Sequence, residues 1–137
     1  MANRREFLQG SIAVSMLALS PDLLAALREL STAHSPALYK VLFDARVDAS
    51  RVFASAFAEQ GVATQGLRNG DITPFWRDEL AAVWMRAPAA VAGLTDVGVL
   101  FCLEQLGRQH GLRVLHREQQ ASGLVAWVVG PHSARNV

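Results

Sequence analysis

The chain of 137 residues is long enough for one domain, and a composition 51% hydrophobic and 18% charged is that of a compact fold rather than a disordered segment. A net charge of +1 offers no electrostatic basis for binding nucleic acid or an anionic membrane surface. The single cysteine, Cys102, excludes an internal disulfide, a four-thiolate iron–sulfur cluster and a zinc ribbon.

The chain opens MANRREFLQGSIAVSMLALS. Arg4 and Arg5 precede an apolar run from Ile12 to Leu19 that only Ser15 interrupts. That run is far shorter than the roughly 20 residues of a spanning helix. A positive start followed by a short apolar stretch is the layout of an export signal. The specific string NRREFLQ resembles the twin-arginine translocation signal, whose pattern is Ser/Thr-Arg-Arg-x-Phe-Leu-Lys. Arg4, Arg5, Phe7 and Leu8 match, while Asn3 and Gln9 depart from it.

The resemblance implies recognition by the twin-arginine translocation machinery, passage of an already folded chain, and a periplasmic destination. Membrane contact is then confined to the signal segment. Ser31-Thr32-Ala33 is a small-x-small site, which predicts an export signal over residues 1–33 and a mature domain over 34–137, with a retained, tethering signal as the other possibility. Proteins on this route often carry a cofactor or travel with a partner that has one. Here there is no dinucleotide-binding or phosphate-binding glycine loop and no haem-attachment motif, so the sequence predicts no cofactor of its own. The competing reading of the same stretch is an ordinary amphipathic helix packed on the domain.

Residues 37–47, ALYKVLFDARV, predict a first strand. DASRVFASAFAEQG follows, with Val52, Phe53, Ala56 and Phe57 at helical spacing and Gly61 as its stop. VATQGL predicts a short second strand and RNGD a turn. A helix over 73–88 is expected next, with Thr73 as its cap, Pro74 in the first position and Pro88 enforcing the end. AAVAGL, at 89–94, is a candidate buried strand. Asp96 or Thr95 then caps VGVLFCLEQLGRQHG, which predicts a helix with Cys102 in its packed interior. LRVLHRE and LVAWVVGP, joined by QQASG, predict an antiparallel pair, the second strand central because it is almost wholly apolar. The expectation is an α/β fold: a small mixed, mainly parallel sheet, about three helices and a C-terminal β-hairpin, preceded by the signal helix.

In open α/β sheets, ligands bind beyond the carboxyl ends of the strands. That rule selects Asp44, Arg46, Ser50 and Arg51 after the first strand, Arg68, Asn69, Asp71 and Thr73 after the second, and Thr95 and Asp96 after the third. Arg46 and Arg51 suit an anionic group, helped by helix N-termini, and Asp44 or Asp71 an acid, base or orienting group. The plainer alternative pairs Asp44 with Arg46 or Arg68 and leaves Asp71, Thr73 and Asp96 as caps. His110 and His116 flank a turn with no carboxylate at ligand spacing, so no metal site is expected. Trp76 and Trp84 read as core residues, one of them a candidate for a partner surface.

Two functions remain in view. The first is an exported accessory or binding protein, a subunit beside a larger exported redox enzyme, contacting it through an apolar patch around Trp76, Trp84 or Trp127. The second is an independent small enzyme or ligand-binding domain with a cleft lined by Asp44, Arg46, Arg51 and Asp71.

Overall fold

The computed structural model describes residues 20–32 and 38–131. The export-motif residues Arg4, Arg5, Phe7 and Leu8 lie outside the described residues, as does the Ala33–His34 junction.

In chain order the elements are α1 (Pro21–Thr32), β1 (Lys40–Asp44), α2 (Asp48–Ala58), β2 (Thr64–Leu67), α3, β3 (Val91–Thr95), α4 (Val97–Arg108), β4 (Leu112–Gln119) and β5 (Val125–Pro131). Helix α3 is continuous over Thr73–Phe75, a π-helical stretch Trp76–Leu80, and Ala81–Arg86. The sheet order is β2-β1-β3-β5-β4. β1 is parallel to β2 and β3, while β5 is antiparallel to β3 and β4.

The α/β class, the mixed sheet and the terminal hairpin agree with the sequence. Two details differ. The sheet is not mainly parallel, because two of its four pairings are antiparallel. The hairpin folds back so that its second strand lies beside β3, the central place its apolar run predicts. VAWVV, apolar on both faces, takes the covered inner position, and LRVLHRE with its charges takes the edge. There are also four described helices rather than about three, since Pro21–Thr32 packs on the sheet.

Strand alternation divides the core between the two faces. Leu42, Val91, Val125, Trp127 and Val129 face α3 and α4, meeting Phe75, Leu80, Trp84, Leu100 and Leu103. Val41, Ala90, Ala92, Leu94, Ala126 and Val128 face α1 and α2, meeting Leu23, Phe53 and Phe57. The alanines on this second face let the phenylalanines of α2 approach the strands closely. Trp84 and Trp127 are both buried, and each indole N–H finds an acceptor: Ala89 O at 2.8 Å and Thr95 Oγ1 at 2.9 Å. An unmatched indole N–H there would cost about 1–3 kcal/mol.

Candidate functional site

The chain leaves β1 toward α2 on one face and leaves β3 toward α4 on the other. The carboxyl ends of these neighbouring strands therefore form the switch point of the sheet, the place where open α/β sheets hold ligands.

Asp44, the last residue of β1, is 2% exposed, and its charge is compensated locally. Its Oδ1 accepts the Arg46 backbone N–H at 3.0 Å and Nε at 2.9 Å, and its Oδ2 accepts Nη2 at 2.8 Å. This two-oxygen fork holds the Asp44 carboxyl below its ordinary range, against the opposing effect of burial. Behind it, Ser50 at the start of α2 is fully buried. Its hydroxyl accepts the Asp44 N–H at 2.8 Å and donates to the Leu94 carbonyl on β3. Ser50 thereby ties α2, β1 and β3 together, and does not cap α2, whose preceding residue is Val47.

The Arg46 side chain stays half-exposed while its direction is set by Asp44. It runs along the turn that follows β2. Asn69 in that turn has φ +54° and Gly70 φ +69°, the left-handed region in which a Cβ is strained. A Cβ on Gly70 would fall 2.8 Å from Arg46 Nη2, 3.4 Å from Asp96 Oδ2 and 3.5 Å from Asp44 Oδ2. Position 70 is thus the floor under two carboxylates and one guanidinium. Asp96 caps α4, its Oδ1 accepting the Val99 N–H at 3.2 Å, and together with Asp44 it raises the pKa of Arg46.

Of the four residues expected to line a cleft, the structure brings Asp44 and Arg46 together and commits Arg51 and Asp71 to bonds of their own. Arg51 is turned back onto the Asp48 carboxylate and the Ala45 carbonyl, at the exposed start of α2. The paired-arginine anion clamp is therefore not assembled. Asp71 accepts the Thr73 N–H at 2.9 Å, which lowers its carboxyl pKa, while Thr73 is the first helical residue and not the cap, a position held by Ile72. Asp96, read from sequence chiefly as a cap, is one and also stands beside Arg46. Gly70 was hidden in the RNGD turn; its only signal is Asn-Gly, which marks a turn and not what the turn leans on.

The chemistry available here is limited by occupancy. Both Asp44 oxygens are used by Arg46, and a lowered pKa makes the carboxyl a poor proton donor at neutral pH. A cavity of about 340 Å³ exists elsewhere, lined by Glu104, Arg108, Leu112 and Arg113, where α4 ends and β4 begins.

A second ionisable cluster sits at the start of β1. Glu79, in the π-helical stretch of α3, accepts from the Tyr39 hydroxyl and pairs with Lys40 at 2.6 Å. Burial first, and then Glu79, pushes the Tyr39 phenol up to about 12, so it stays neutral and is not a base. Lys40 also lies 5.4 Å from the Phe75 ring centre, which marks the cluster as a clamp between β1 and α3.

The apolar patch expected around the tryptophans is not found. Trp84 and Trp127 are core residues, and Trp76 is half-buried, its ring 5.6 Å from that of Trp84. Among the described residues, the large exposed apolar side chains are instead Val52, Met85, Val97 and Phe101. Val97 and Phe101 are one turn apart on α4, 49% and 60% exposed. Cys102 shares the outer surface of that helix with Gly98 and is exposed, not packed inside as the sequence suggested. The reason is rotational: Val99, Leu100, Leu103 and Gly107 form the buried stripe, and position 102 falls outside it.

No family model, curated protein or solved structure matches this chain significantly. Among the described residues, no group of three or more metal-ligating side chains occurs, and no helix is long and apolar enough to cross a membrane.

Proposed function

We propose that this chain is a small accessory or binding protein, carried to the periplasm by the twin-arginine route, that works against a larger protein. A redox enzyme is the companion such a signal suggests. The signal reading rests on Arg4, Arg5, Phe7 and Leu8. The partner reading rests on one observation: the outer face of α4 begins, directly after the charged cap Asp96, with an exposed apolar pair one turn apart, Val97 and Phe101. An apolar centre with a charged border is the anatomy of a protein contact. The occupied state of Asp44 argues in the same direction, since it removes the best-placed acid or base from an enzyme reading.

Fractionation of the wild type and the Arg4→Lys/Arg5→Lys double variant tests export; equal export of the two sinks it. Size-exclusion of the native periplasmic fraction tests the partner. The wild type should elute as a larger complex and Phe101→Asp as a monomer. A monomeric wild type rejects the accessory role.

The second reading, a ligand-binding domain at the strand ends, is favoured by Arg46 alone, a half-exposed guanidinium aimed by a buried carboxylate at a switch point. Thermal shift against phosphate and small dicarboxylates, lost in Arg46→Gln, supports it; no shift at millimolar anion removes it.

A further inference from the structure

Helix α1 lies inside the stretch that sequence alone assigns to the export signal, yet it is built into the domain. Leu23 has no exposed surface and sits with Phe53, Ala92, Ala126 and Val128. Leu24, Ala26 and Leu27 pack at the border of the same cluster. The helix lies on β4 and β5. Its first turn is fixed at both ends of one hydroxyl. Ser20 Oγ accepts the Leu23 N–H at 3.0 Å, a helix cap, and donates to the Glu118 carboxylate on β4. His116 stands 3.2 Å from that same carboxylate oxygen.

A removable signal must be free to leave the folded passenger. A helix whose cap is bonded to the sheet and whose leucine completes the core is not free to leave. We propose that α1 belongs to the mature domain, so that the signal proper ends before Ser20 and any proteolytic processing leaves Ser20–Thr32 attached. This rests on the export reading for its processing half and on packing alone for its structural half. A cut after Ala33 would release the cover over the β4–β5 part of the sheet and expose Ala126 and Val128.

The experiment has two arms on the full chain. Intact-mass analysis of the exported protein locates its N-terminus. A species retaining residues 20–32 supports the proposal, and a folded, soluble species beginning at His34 overturns it. Thermal unfolding of the full chain supplies the second arm. Leu23→Ala should lower the melting temperature by roughly 10 °C, and exposed Asp22→Ala by less than about 2 °C. Equal, negligible shifts for both overturn the proposal even where nothing is exported. Absence of export with a large Leu23 effect removes the export reading while keeping α1 in the domain.

Discussion

The indole of Trp127 occupies the space that a side chain at Gly93 would need. The two residues are register partners across β3 and β5, and a Cβ on Gly93 would fall 2.6 Å from Trp127 Cζ2 and 2.8 Å from the Leu42 carbonyl oxygen. One obstacle is backbone, so rotamer changes cannot relieve it. Gly93→Ala should therefore destabilise the domain by about 2 kcal/mol or more. Urea unfolding measures this directly, and a wild-type midpoint would contradict the packing described.

The Asp44–Arg46 fork makes stability depend on acid. The folded-state pKa of Asp44 lies below its ordinary value of 3.8, mainly through the Arg46 hydrogen bonds. The carboxylate thus contributes stability that is fully present above the unfolded value and is lost as pH falls through the lower, folded one. Arg46→Gln should flatten this acid limb below about pH 4. Asp44→Asn should cost about 1–3 kcal/mol at pH 7, because it removes the charge and turns one of the two accepting oxygens into an NH2 group facing the Arg46 donors. Melts from pH 2 to 7 check both.

Cys102 should react in the native state. Because it is exposed on α4, stoichiometric maleimide labelling is expected without denaturant, with no loss of secondary structure by circular dichroism. Labelling that required unfolding would place the thiol inside, where the sequence alone had put it.

Trp84 and Trp127 are buried and Trp76 half-buried, which separates their optical behaviour. Acrylamide should quench the emission only weakly, and Trp76→Phe should remove most of the quenchable part. Trp84→Phe should cost about 1–3 kcal/mol, since the Ala89 carbonyl loses its indole donor in a dry setting.

Local chemistry was legible in the sequence wherever the residues that decide it are close together in the chain. The Asp44–Arg46 pair, the Asp96 cap and the central character of VAWVV could all be read there, because each depends on a few neighbouring positions. What failed depended on chain paths. That Gly70 meets Arg46 follows from how two crossovers converge; Arg51 turning to Asp48 is an exception, a local i,i+3 pair that the sequence offered and the anion-clamp reading passed over. Cys102 was misplaced because VGVLFCLEQL is apolar nearly all round, and only packing selects which stripe is covered. PDLLAALREL carries a pattern common to signals and to surface helices, and Leu23 shows which face of it is buried.

β5, the last of the described strands in chain order, is an interior strand, and β3 and β4 meet only through it. Until residues 125–131 leave the ribosome, β3 presents an open edge and Trp127 is missing from between the layers. The part of the sheet from β3 to β4 therefore cannot close before β5 is in place. A chain interrupted before residue 125 would leave that margin bare, an unpaired apolar strand edge of the kind that proteases and chaperones recognise.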